Sequence, residues 1–193
     1  MNRKALILSV IAFVGVSLGV SFVIGNGTNN DLDMGMDHGA HSATMGGDEA
    51  MFLQMMIPHH QQAIVISDLA ISISKNEDIL KLANQIKDAQ APEIAQMKSW
   101  LKAAGLGEDP GHSMHAMAGM LTDSQIEQLK TSTGKDFDRQ FLSGMIAHHE
   151  GAVDMVGMIE NSSDLKLRDF GKQINLSQTD EIEVMEQLLK SIG

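Results

Sequence analysis

All eight histidines of the chain fall into four pairs. Two pairs are adjacent: His59 and His60 in MMIPHHQQAI, and His148 and His149 in GMIAHHEGAV. Two are spaced H-x-x-H: His38 and His41 in DMGMDHGAH, and His112 and His115 in HSMHAMAGM. Methionines accompany each pair. Met56 and Met145 precede the adjacent pairs, Met34 and Met36 precede the third, and Met114 and Met117 flank the fourth. Imidazole suits copper, zinc and nickel, whereas a thioether selects Cu(I) or the similar Ag(I). Zinc and nickel gain little from methionine, so the combination points to copper, with Cu(I) favoured, Cu(II) open and silver a mimic. Thioethers bind without losing a proton, so such sites survive mild acid.

The adjacent pairs sit on helical patterns. At about 100° per residue, His148 lies in mid-stripe with Phe137, Phe141, Met155 and Ile159, while His149 lies at the stripe's edge. Met145 reaches either histidine. The first half repeats this with His59 inside, His60 at the edge and Met56 beside both, but Ile66 stands where the second half has Met155. Two further stripes carry Gln90, Glu93 and Met97, then Gln178, Glu181 and Met185. A carboxylate in an apolar stripe needs a partner, and an imidazole from a facing helix supplies one. On the bland reading, His59 and His148 are core histidines bonded to Glu93 or Glu181, with methionine as packing. On the metal reading, the glutamates support histidine ligands from outside. The adjacency and duplication favour the second. The glycine-rich loops have no core to fill, so their methionines lack a packing role. They read either as soft-metal capture or as tails of biased composition.

Other chemistry is poorly represented. HHEGAV is not H-E-x-x-H, because Val153 takes the second histidine position. E-x-x-H, the Walker loop and G-x-S-x-G are missing. Glu150 and Asp154 read as solvated. The chain therefore reads as a binding protein and not an enzyme. A cuprous oxidase or other redox metalloenzyme using the same residues is the alternative, and a structural or sensor bundle is the third reading. With no cysteine, disulfides and thiolate sites are excluded. The net charge of -11 argues against nucleic acid and anionic membrane surfaces as partners.

Several elements position these residues. MNRK followed by the uncharged run Ala5 to Ile24 describes a secretory signal or a membrane anchor within residues 1–25. Arg3 and Lys4 stay cytoplasmic, which places the rest outside the membrane, most simply in a bacterial envelope. Residues 26–47 form a Met/His-rich linker. Residues 48–193 form the domain, with a Met/His-rich loop at 107–120. Long helices are predicted over 48–74, 76–104, 135–160 and 163–191, with Pro58 and Pro92 as expected bends. A short capped helix starts at Thr122 or Asp123. Phe52, His59 and His60 align with Phe141, His148 and His149. Gln90, Glu93 and Met97 align with Gln178, Glu181 and Met185, with the offset shortened by one residue. Two such hairpins burying their apolar faces make an all-α four-helix bundle.

The segments FLQMMIPHHQQAI and FDRQFLSGMIAHHEGAVDM, each followed by a helix of the type Q-x-x-E-I-x-x-M, resemble the bacterial family called domain of unknown function 305. That family includes CopM-like copper-binding proteins. The resemblance covers about Asp48 to Leu189. It implies a ferritin-like four-helix bundle, export and, for some members, copper or silver binding and resistance. By position, the family's paired histidines fall on His59, His60, His148 and His149. Its methionines fall on Met56, Met145, Met155, Met97 and Met185. The second half lacks the tryptophan that Trp100 supplies in the first. The implied partners are metal ions and other envelope copper-handling proteins, with the inner membrane added if segment 5–24 is retained.

Overall fold

A computed structural model of the 193-residue chain describes residues 45–109 and 117–192. Segment 5–24, Met34, Met36, His38, His41, His112, Met114 and His115 lie outside the described residues. The described residues form five helices: α1 (Gly47–Ile73), α2 (Glu77–Ala103), α3 (Asp123–Thr131), α4 (Gly134–Val156) and α5 (Leu165–Ile192). Among them no helix is long and apolar enough to cross a membrane. The four long helices make two hairpins, α1–α2 and α4–α5, joined chiefly where α1 packs on α4. The short α3 lies in the connection and touches both α1 and α4.

Local chemistry sets the ends. The Asn76 side chain caps α2 by accepting from the Asp78 N–H at 3.0 Å. Gly105, at φ +71°, closes that helix. Its N–H donates to the Lys102 carbonyl at 3.1 Å, and the Leu106 N–H donates to the Leu101 carbonyl at 2.9 Å, the pairing of a Schellman stop. Thr122 caps α3 in a reciprocal box with Gln125. Both α1 and α2 run unbroken through Pro58 and Pro92.

The repeat extends into the turns. Ser74 and Ser162 are equivalent, as are Asn76 and Asp164, both at an offset of 88. Each serine hydroxyl accepts the N–H two residues on, at 3.1 Å for Asn76 and 3.0 Å for Asp164. Each also donates across to the opposite hairpin. Ser74 donates to the Asp138 carboxylate at 2.6 Å, and Ser162 donates to the Glu49 carboxylate. Asp138 and Glu49 are themselves equivalent, at the offset of 89 that relates His148 to His59. The two hairpins are therefore latched at both ends by the same bond used twice.

The missing residue is absorbed at the end of α4. Helix α1 keeps α-helical geometry to Ile73. After Val156, by contrast, Gly157, Met158 and Ile159 each donate to the carbonyl three residues back, at 3.0–3.2 Å. Three-residue turns rise about 2.0 Å per residue against 1.5 Å in an α-helix, so one residue fewer spans the same length.

The core has two apolar halves. One gathers Ala63, Ile66 and Ala70 of α1 with Ile79 and Ile86 of α2, Phe137, Phe141 and Met145 of α4, and Met185 and Leu188 of α5. The other gathers Phe52, Leu53 and Met56 with Ile94, Met97 and Leu101, then Ala152, Met155 and Ile159, and finally Leu167 and Ile174. On every long helix a short stretch falls between these two sets. Those stretches hold the paired histidines and the Gln/Glu residues.

The latches differ in burial, which sets an expectation. Asp138 is buried and Ser74 is its hydrogen-bond donor. Ser74→Ala should lower the unfolding free energy by about 1.5–3 kcal/mol, since it strips a charged group of its bond. Ser162→Ala, acting on the part-buried Glu49, should cost less. Urea denaturation of the two variants checks the order.

Candidate metal centre

Between the two apolar halves lies a polar layer: His59 and His60 from α1, Gln90 and Glu93 from α2, His148 and His149 from α4, Gln178 and Glu181 from α5. All four histidines are 0% exposed. His60 and His149 had been placed at the edge of their stripes. They are fully inside, because α2 and α5 cover that edge. The glutamates bind these two histidines and not the mid-stripe pair. His60 Nε2 lies 2.8 Å from Glu93 Oε2, and His149 Nε2 lies 2.7 Å from Glu181 Oε2. His59 and His148 meet each other instead, with ring centroids 3.8 Å apart and planes inclined by 39°.

These contacts assign tautomers. A carboxylate accepts, so His60 and His149 each carry the proton on Nε2 and donate it. His59 likewise donates from Nε2 to the Ala118 carbonyl at 3.2 Å. His59, held neutral by burial, then keeps a bare lone pair on Nδ1, and in all three rings Nδ1 is buried without a partner. His148 has neither ring nitrogen paired. The amides of Gln90 and Gln178, both 2% exposed, are also unpartnered. Buried polar atoms are normally bonded, so this concentration of free donors and acceptors in one layer marks a site. Among the described residues, no three His, Asp or Glu side chains already converge as a chelate. The donor chemistry fits a metal ion, and the ring stack must turn for the lone pairs to meet on one.

Burial pushes the His59 imidazole down to about 3, and His60 and His149 add to the fall against an opposing pull from the Ala118 carbonyl. Burial, with the nearby His59, His149 and His60, drives His148 well below its ordinary value of 6.5. The His59 main chain opposes this in part. Both rings are therefore neutral at physiological pH, the form that ligates metals.

The candidate methionines flank the layer. Met56, Met97 and Met155 belong to one apolar half, and Met145 and Met185 to the other. All five are buried. Ile66, which replaces a third methionine in the second set, makes the two sides unequal. The loop methionine Met117 was expected to have no packing role. It is in fact only 8% exposed, because residues 117–121 form a strap seated on α1 and α4. Gln62 holds this strap with two bonds. Its Nε2 donates to the Leu121 carbonyl at 2.9 Å, and the Leu121 N–H donates to its Oε1 at 2.8 Å. Neither Gln62 nor the serine latches were singled out in the sequence. The matching offsets of Ser74 with Ser162 and Glu49 with Asp138 could have revealed the latches. Glu150 and Asp154 are exposed, as expected.

The depressed histidines make metal-free stability depend on pH. Above 6.5 both rings are neutral folded or unfolded, and their contribution is complete. Below 6.5 the unfolded chain takes up protons that the fold excludes, so stability falls as pH falls, until about 3 for His59. The loss approaches about 1.4 kcal/mol per pH unit for each ring. Urea denaturation of the metal-free protein at pH 7.5, 6 and 5 should show this decline, and His148→Leu should make it shallower. A flat profile would mean that the rings are already charged in the fold.

The family model described as domain of unknown function (DUF305) matches residues 49–189. No curated protein matches the chain. Among solved structures, a DUF305 protein from Streptomyces coelicolor, described as secreted, is 29% identical over 77% of this chain and 96% of its own, with a TM-score of 0.71. A DUF305 fragment from Deinococcus radiodurans is 31% identical over 76% of this chain and 98% of its own, with a TM-score of 0.70. CopM in its Cu(I)-bound form is 30% identical over 76% of this chain and 97% of its own, with a TM-score of 0.62. CopM has also been solved in Cu(II)-bound and Ag-bound forms. The duplicated hairpins, the paired histidines and these matches agree: the chain belongs to the DUF305 family and shares its fold with copper- and silver-bound structures.

Proposed function

We propose that this chain is a non-enzymatic envelope protein that binds Cu(I), and also Cu(II) or Ag(I), for metal tolerance, storage or delivery. The observation that carries this reading is the buried layer of four imidazoles, each with Nδ1 unpartnered, flanked on both sides by buried methionines. Such a donor set is neutral and soft at its edges, which suits a soft monovalent cation. Bound copper and silver in the CopM structures support the choice of metal. His148, with no hydrogen bond at either ring nitrogen, is the imidazole freest to turn toward an ion, while His59 presents its bare Nδ1 with Nε2–H held by Ala118. His60 and His149 are oriented by Glu93 and Glu181, whose carboxylates raise the basicity of the rings they hold. Met56, Met97, Met145, Met155 and Met185 supply thioethers. The loop residues His38, His41, Met34, Met36, His112, His115 and Met114 capture metal before it reaches the bundle. The segment 5–24 delivers the protein to the envelope or holds it on the inner membrane, where other copper-handling proteins exchange metal with it.

The test is Cu(I) titration of the full chain against a competing chelator. His148→Ala combined with His149→Ala should remove a bound ion or weaken it by at least roughly tenfold, and unchanged stoichiometry and affinity would sink the bundle site. Glu181→Gln, which leaves every proposed ligand in place, should weaken binding about 10–100-fold. Met56→Leu with Met145→Leu should weaken Cu(I) and Ag(I) more than Cu(II). No oxygen should be consumed with turnover when Cu(I) is added.

A further inference from the structure

The strap Met117–Leu121 forms part of the wall around the histidine layer. Ala118 is exposed to solvent, yet its carbonyl accepts the proton of His59, which is 0% exposed. A single residue thus separates solvent from the imidazole stack. The strap is built to sit close. A Cβ on Gly151 would lie 2.1 Å from the Ala118 carbonyl oxygen, and one on Gly119 would lie 2.4 Å from that of Ala147. Gly119 also adopts φ +79°, which a side chain would strain. A Cβ on Gly144 would lie 3.2 Å from the Leu121 side chain.

The duplication shows how this arose. Gly151 and Gln62 are the same position of the repeat, as are Gly144 and Met55, at the offset of 89. One half uses the position to admit the strap. The other uses it to hold the strap, through the reciprocal Gln62–Leu121 pair. Apart from these two bonds and the one from His59, the strap's own main-chain bonding is weak: the Met120 N–H reaches the Met117 carbonyl at 3.4 Å. Among the described residues the strap thus has fewer main-chain bonds than the helices beneath it, a feature of segments that open locally, although Met117 and Leu121 anchor it by burial.

We propose that Met117–Leu121 is the door through which a soft metal ion reaches the histidine layer, with Gln62 as its latch. When shut, the door also sets the His59 tautomer, since the Ala118 carbonyl holds the proton on Nε2 and leaves Nδ1 bare. Closure therefore seals the layer and readies one of its ligands together. This rests on the metal-binding reading above. The competing route is the edge at Glu93, whose side chain is 20% exposed beside His60.

The experiment uses the full chain and Ag(I), with Gln62→Met as a near-isosteric variant lacking both bonds. Gln62→Glu keeps the acceptor for the Leu121 N–H and loses the donor to its carbonyl. Three quantities are read: hydrogen exchange at the Leu121 amide, the imidazole nitrogen spectrum of His59, and the rates of Ag(I) uptake and of release to a competing chelator. In Gln62→Met, the Leu121 amide should exchange faster, His59 should lose its single Nε2–H tautomer, and both rates should rise roughly tenfold. The number of bound ions should not change, and Gln62→Glu should fall between the two. Unchanged exchange at Leu121 would overturn the latch. Faster exchange with unchanged Ag(I) rates would overturn the door and move the route to the Glu93 edge. Failure of the unmodified chain to bind Ag(I) would instead overturn the metal-binding reading, and the door with it.

Discussion

Two imidazole–carboxylate bonds, His60 to Glu93 at 2.8 Å and His149 to Glu181 at 2.7 Å, govern how the bundle is assembled. Each joins the two helices of one hairpin, in the middle of a core that is otherwise aliphatic and aromatic. Sliding either helix by one turn would set a carboxylate or an imidazole against leucine and isoleucine. For the buried His149–Glu181 pair, leaving one member uncompensated costs about 3–5 kcal/mol, and for the part-buried His60–Glu93 pair it costs less. The polar layer thus selects a single register for each hairpin, a choice that aliphatic packing alone makes weakly. The His59–His148 contact does the same between hairpins, since it is where α1 and α4 bring their mid-stripe histidines together. The serine latches at the two ends then close a frame that the layer has already aligned.

That frame is nearly twofold, and three of its departures from symmetry lie close to the layer. Ile66 faces Met155, Pro58 faces Ala147, and Gln62 faces Gly151 across the repeat. The last exchange matters most. A symmetric pair of glutamines would leave no seat for the strap on α4, because any Cβ at Gly151 runs into the Ala118 carbonyl. A symmetric pair of glycines would leave nothing on α1 to hold it. The connection between hairpins must cross on one side only, so the duplicated halves could not stay equivalent there. His59 acquired a fixed proton from the strap, and His148 did not.

Most of the scaffold could be read from residue spacing. The doubled His-His motif and the doubled Gln/Glu/Met stripes call for two hairpins, and the helix boundaries follow from Asn76, Gly105 and Thr122. The site was legible only in outline. A helical wheel gives the angle of a side chain but not what covers it, so His60 and His149 read as edge residues until α2 and α5 were in place. For the same reason the glutamates were paired with the wrong histidines. Met117 read as loop because composition around it is loop-like. What buries it is the shape of another element: Gly144 and Gly151, seven residues apart on one face of α4, opposite Met55 and Gln62 in the repeat. That contrast was present in the sequence, but its meaning depends on where the connection crosses.

If the layer holds a metal ion as proposed, charge would favour a monovalent ion over a divalent one. The cost of bringing an ion out of water into a poorly polarizable interior grows with the square of its charge, and for a single charge it already reaches several kcal/mol after relaxation. Anionic ligands in direct contact offset a dication best, although neutral imidazoles also hold one. Here the two carboxylates nearest the layer are each committed to a histidine N–H, and the remaining candidate donors are neutral imidazoles and thioethers. An ion of charge +1 held by such donors is balanced at one remove, through imidazoles that the carboxylates polarise. A dication that recruited Glu93 or Glu181 as a direct ligand would draw it away from its histidine and so undo a bond that sets the helix register. On the proposed metal-binding reading, the interactions that hold the bundle in register would therefore also favour a monovalent ion.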